Sequence, residues 1–179
     1  KLKIVGIEAI KSSTPEACRH SLKEIFNIIL SGTEEDVISY IEKFKEKFFG
    51  LDMEEVAFPR SVNGLKKYKD SATIYKKSTP IHVKGSLIYN HMLRSKKLTR
   101  RYPTIKEGEK VKFTYLKDPN PAGDKVISVL NSLPKEFELE KYIDYDTQFE
   151  KAFIEPLKGV LDVIGWETER KSSLDSFFI

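Results

Sequence analysis

Cysteine is almost missing from this chain. Cys18 is the one cysteine among 179 residues, so no disulfide can form within the chain, and the composition suits a reducing compartment. No run of 18 or more apolar residues occurs, which leaves no membrane-spanning helix by hydropathy. The apolar stretch Leu2 to Ile10 is short and interrupted by Lys3 and Glu8, so it does not read as a signal peptide. There is no phosphate-cradling glycine loop and no Gly-x-Ser-x-Gly elbow. His20, His82 and His91 are too scattered to join Cys18 in a structural zinc set, and a nine-residue spacing turns His82 and His91 to different sides of a helix. Carboxylate pairs do occur, at Glu34-Glu35, Glu54-Glu55 and Asp144/Asp146. The first favours a helix N-terminus and the last caps a following helix, and no acidic cluster suits two-metal phosphoryl transfer. These absences imply no active site, no bound metal and no cofactor within this chain.

What is present is charge, unevenly spread. Apolar residues make up 40% and charged residues 32%, enough for one domain with appended pieces. The net charge of +4 is small, yet residues 60–112 carry 15 Lys/Arg against 3 Asp/Glu. Residues 1–59 carry 8 against 11, and residues 113–179 carry 8 against 13. A basic middle of net +12 between flanks of −3 and −5 is the footprint expected of a polyanion-binding face. The chain opens on Lys1, without an initiator methionine, as a fragment or processed piece would.

The periodicity predicts a mostly helical α+β domain. Lys3 to Ile10 reads as a strand. Thr14 and Pro15 then start a helix to about Leu30, with Cys18, Leu22, Ile25, Phe26 and Ile29 on one stripe. Thr33 caps a second helix through Val37, Ile41, Phe44 and Phe48, stopped by Gly50, and the short break makes the two an antiparallel pair. From Val56 to Lys77 the pattern reads as loop. Thr79-Pro80 opens a third helix to about Arg94, with Ile81, Leu87, Ile88 and Met92 inward and His82, Lys84, His91 and Arg94 elsewhere. A basic link, Ser95 to Tyr102, leads to a hairpin of Lys110 to Leu116 and Lys125 to Leu130 around the Pro119–Asp124 turn. After Pro134 the chain returns to helix, with Phe149, Phe153, Leu157, Val160, Leu161 and Ile164 at helical spacing and a kink or fresh start at Pro156.

The basic middle interleaves its cations with Ser61, Asn63, Tyr68, Tyr75, Tyr89 and Asn90, a mixture suited to phosphate and sugar contacts. No base-reading arginine helix and no aromatic stacking platform is evident, so duplex backbone is the expected ligand, with little sequence choice. On the residues alone, a free-standing nucleic-acid-binding protein and a small hydrolase using acidic pairs remain open.

Several pieces, in order, resemble the C-terminal end of family B DNA polymerases of the large tailed-phage, T-even-like type. Lys3-Ile4-Val5-Gly6-Ile7-Glu8 with Lys11-Ser12-Ser13-Thr14-Pro15 resembles the strand that leaves the palm and enters the thumb. Ser61-Val62-Asn63-Gly64-Leu65-Lys66-Lys67-Tyr68 resembles a thumb loop near the duplex, and Pro80-Ile81-His82-Val83-Lys84-Gly85 with Leu87, Tyr89 and Asn90 resembles the thumb helix. Gly108-Glu109-Lys110-Val111 and Asn120 to Lys125 match the following hairpin. Tyr142 to Tyr145, with Phe149 to Ile154 and Pro156-Leu157, matches the helix returning toward the palm.

The resemblance implies the end of a palm over residues 1–14, a thumb over 15–170 and a flexible clamp-binding tail over 171–179. It implies contacts to primer–template DNA from Lys11, Ser12, Ser13, Ser61, Asn63, Lys66, Lys67, Tyr68, His82, Lys84, Tyr89, Asn90, Arg94 and Lys110. The catalytic aspartates and their Mg²⁺ would sit in a palm outside this chain, on the same polypeptide or a separate one that also carries the exonuclease. Leu174, Phe177 and Phe178 stand at i, i+3 and i+4 and resemble a sliding-clamp-binding motif. The implied setting is the cytoplasm of an infected bacterial host.

Overall fold

The computed structural model describes residues 11–170. The expected strand Lys3 to Ile10 and the tail with Leu174, Phe177 and Phe178 lie outside the described residues.

Helices α1 (Glu16–Ser31) and α2 (Glu34–Phe49) pack on each other as their apolar stripes require. Cys18, Leu22, Ile25 and Phe26 are buried on one, and Val37, Ile41, Phe44 and Phe48 on the other. Burial pushes the Cys18 thiol up to about 12, which keeps it an inert core group. Thr33 and Asp36 form a reciprocal capping box at the start of α2. α1 begins one residue later than Thr14 suggests, with Pro15 in the cap position.

A one-turn helix α3 (Met53–Val56) leads into a strand where the sequence reads as loop. β1 (Phe58–Ser61) pairs antiparallel with β4 (Lys110–Tyr115), which pairs with β5 (Val126–Val129), in the order β1-β4-β5. Pro59 disguises β1 in the sequence. An edge strand tolerates it, because only one side of the strand donates to the ladder. Two more short elements occupy the expected loop: a one-turn helix α4 (Leu65–Tyr68) and a small hairpin of β2 (Lys69–Asp70) with β3 (Ile74–Tyr75).

Helix α5 (Ile81–Ser95) lies across β5. Gly85 permits the approach: a Cβ there would sit 2.5 Å from Ser128 Oγ and 2.8 Å from its backbone nitrogen. After two 3₁₀ turns, α6 (Tyr145–Phe149) starts on Asp144, whose carboxylate accepts the Thr147 N–H at 3.0 Å. It runs through a π-helical turn, Glu150–Ile154, into α7 (Glu155–Ile164). The widened turn falls just before Pro156, whose ring and missing N–H disturb the ordinary ladder, so the expected kink takes the form of a π turn. Phe44 packs against Phe153 at 4.7 Å between ring centroids and Phe48 against Phe149 at 5.2 Å, joining α2 to this C-terminal helix. No helix among the described residues is long and apolar enough to cross a membrane.

Candidate nucleic-acid interface

Three elements of the basic middle, α4, the β2–β3 hairpin and α5, pack together. Leu65 is buried and anchors α4, leaving Lys66 and Lys67 exposed. The turn before α4 requires a left-handed residue, supplied by Gly64 at φ 92°. Its two orphan N–H groups are taken by one carboxylate: Glu107 accepts from Gly64 and from Leu65, the latter at 2.9 Å. Val62 and the 107–109 turn exchange backbone bonds at 2.9 and 2.7 Å, so the sheet holds this turn from behind. Asn63 and Ser61 are exposed beside it, and Lys110 is the exposed register partner of Ser61.

The hairpin is tied at several points. Asp70 accepts the Ala72 and Thr73 N–H groups at 2.8 and 2.9 Å, and those bonds hold its carboxyl below the usual range. Lys76 Nζ donates to the Lys67 carbonyl at 2.7 Å. Ile74 adopts φ 70°, an unusual backbone for a β-branched residue. The Tyr75 hydroxyl bonds the Asp124 carboxylate, which together with burial pushes the phenol up to about 12. Lys84 lies over the Tyr75 ring, 4.8 Å from its centroid. Lys69, Ala72 and Ile74 share a shallow pocket with Leu87, His91 and Arg94 of α5.

Lys11 and Ser12 are exposed, and Ser13 is half-buried beside the edge strand β1. Arg60 Nη1 donates to the Ser13 carbonyl at 2.6 Å, and its guanidinium lies 5.7 Å from the centroids of both Phe58 and Phe113. Arg60 thus joins Ser13 to the sheet.

Two sequence-predicted contacts fall elsewhere. Tyr89 and Asn90 are 2% and 5% exposed. Asn90 Nδ2 donates to the Ile105 carbonyl at 2.8 Å and its Oδ1 accepts the Ile105 N–H at 2.7 Å, so both polar ends are used inside the fold. Tyr89 packs edge-on against Phe137. Their polarity reads as a ligand surface in sequence, yet both face the core side of α5, and they are removed from the interface. His82 is half-buried near Phe113, where burial and then the Arg60 charge lower its imidazole pKa against a bond with the Ser61 backbone. Sequence reasoning overlooked Glu107, Arg60 and Asp124. No local signal marks them, because each acts on a partner more than 40 residues away. Among the described residues no three His, Cys, Asp or Glu side chains come together as a metal site.

No family model matches the chain. Two curated proteins do. One is the DNA-directed DNA polymerase of Enterobacteria phage T4, 35% identical over 181 residues. The other is the DNA-directed DNA polymerase of Escherichia phage RB69, 36% identical over 183 residues. Each match covers 99% of this chain and 20% of the polymerase. The chain is a relative of phage DNA-directed DNA polymerases. It spans about a fifth of their length, and the resemblance noted in separate motifs extends along nearly all of it.

Proposed function

We propose that this chain is the thumb part of a replicative DNA-directed DNA polymerase and grips primer–template duplex by its backbone. Residues 1–14 form the end of the palm and its junction, 15–170 the thumb, and 171–179 a tail that docks on a sliding clamp. Bond formation belongs to palm aspartates and Mg²⁺ outside this chain, on a portion with which it works in the cytoplasm of an infected bacterium. The observation that supports this reading is the match to two phage polymerases along nearly all of the chain, together with a basic middle in which α4, the β2–β3 hairpin and α5 pack together. In this reading Lys66, Lys67, Lys84 and Arg94 supply positive charge, Ser61, Asn63, Tyr68 and Lys110 flank them, and Lys11 to Ser13 meet the primer strand at the junction.

Duplex binding over a salt series tests the grip. Each phosphate neutralised contributes about −0.9 to the slope of log K against log salt. Reversing the charge of Lys66, Lys67, Lys84 and Arg94 together should flatten that slope and weaken every duplex alike. An unchanged slope moves the DNA face elsewhere, and selective loss on one sequence means base readout. The pure chain should extend no primer with Mg²⁺ or Mn²⁺; extension abolished by substitutions within it would overturn the division of labour. Deleting Leu174 to Ile179 should abolish clamp association and leave duplex binding intact. Each large apolar side chain of that tail contributes roughly 1.5–3 kcal/mol if buried in a clamp pocket, before the cost of ordering it.

A further inference from the structure

Helix α5 ends on an unexpected residue. Past Ser95 the chain turns through Lys96 into Lys97, whose φ of 57° is left-handed. The Lys97 N–H bonds the Arg94 carbonyl at 3.1 Å and the Leu98 N–H reaches the Leu93 carbonyl at 2.8 Å. This paired-bond stop ends many helices, and glycine usually fills its left-handed position because a Cβ crowds the backbone there. Helix α7 closes with the same two bonds, from Gly165 to Asp162 at 3.4 Å and from Trp166 to Leu161 at 3.1 Å. Its left-handed residue is a glycine, at φ 71°. Lysine at 97 is therefore not what the helix end asks for.

The elbow that follows is rigid and purely basic. Leu98 is half-buried against the core, and the Arg101 and Tyr102 N–H groups bond its carbonyl at 2.9 and 3.0 Å. Five cations and no acid lie between Arg94 and Arg101. Glu136, the acid that reaches this elbow, is occupied by Arg101 and by the Tyr102 hydroxyl at 2.8 Å. Lys96, Lys97 and Arg100 are exposed and form no ion pair among the described residues. The negative end of the α5 dipole accounts for Arg94 and Lys96, but Arg100 stands a full turn beyond it, and Lys97 occupies a strained position that the dipole does not demand.

We propose that Lys96, Lys97 and Arg100 continue the duplex-phosphate contact past Arg94, around the C-terminal end of α5. This rests on the reading of the face as a duplex grip. At about 1.5 Å rise per residue, Lys97 lies within about 5 Å of Arg94 along the helix axis, so the elbow meets the phosphates next to those that Arg94 faces.

The test uses the full chain and a blunt duplex of about 20 base pairs across a salt series. The triple variant K96Q/K97Q/R100Q should bind it about tenfold more weakly, with a slope reduced by up to about 2.7. Lys97→Gly should raise Tm by about 2 °C while weakening duplex binding about threefold, the signature of a residue kept against stability. Glu138→Gly is the control, since Glu138 is exposed at φ 54°: Tm should rise with no change in binding. If the natural chain does not bind the duplex, the grip itself fails and the elbow with it. If it binds and the triple variant matches it in affinity and salt slope, the elbow alone fails. A lower Tm for Lys97→Gly makes Lys97 a residue kept for the fold.

Discussion

The two halves of this molecule hold their shape by different means. In the helical half, α2 and the α6 to α7 helix meet through the rings of Phe44, Phe48, Phe149 and Phe153, and many weak contacts share the work. In the basic half α5 packs an apolar side on the sheet, and single polar ties then fix the exposed turns: Glu107 under the Lys66–Lys67 turn, Asp124 on Tyr75, Glu136 on Arg101, Asn90 on Ile105. A surface crowded with like charge cannot be steadied by burying those charges. It is steadied from behind, by acids and amides that fix the backbone while the ammonium groups stay in water.

The sharpest way to break this contrast is to remove one member from each half. Phe153 is fully buried at the centre of the ring cluster, so Phe153→Ala should cost about 3–5 kcal/mol by urea unfolding. The chain that remains folded should keep its duplex affinity and salt slope. Asn90→Ala should cost about 1–3 kcal/mol, because it leaves the Ile105 N–H and carbonyl buried without partners. Affinity per folded molecule should hold there too; a loss confined to binding would return Asn90 to the interface. Glu107→Ala should cost about 1 kcal/mol, as the loss of a helix cap does. Hydrogen exchange should show its local character: the Gly64 and Leu65 amides lose protection while those of β4 keep theirs. Uniform loss would mean that Glu107 supports the whole sheet.

The same contrast explains what was legible in the sequence. Val37, Ile41, Phe44 and Phe48 recur at helical spacing because a buried stripe must, so α1, α2, α5 and the C-terminal helix all read correctly. The β4–β5 hairpin reads from its alternation and turn. β1 does not, since four residues interrupted by Pro59 carry no period. The cations of the candidate face were visible as composition, but which polar neighbours face the core was not. Tyr89 and Asn90 look like ligand groups until α5 is laid on the sheet, and Glu107 and Arg60 look like ordinary surface charge until their distant backbone partners are known.

His82 lies on the seam between the two halves, and pH decides to which it belongs. Its imidazole is half-buried beside the Phe113 ring; burial and then Arg60 depress its pKa, and a bond with the Ser61 backbone only partly opposes them. The fold therefore favours the neutral ring. A basic group whose folded pKa lies below its unfolded value contributes stability that is fully present above about 6.5, the unfolded value. As pH falls from there through the folded pKa, the unfolded chain binds a proton that the folded chain refuses, and that stability is lost. Denaturant titrations at successive pH values below 7 should show stability declining, and His82→Gln should decline less steeply because the ring that resists protonation is gone. If instead His82 served a DNA phosphate as a cation, lowering the pH would strengthen duplex binding and His82→Gln would abolish that gain. The core assignment expects no such gain, and matched pH slopes of stability in the two proteins would remove it.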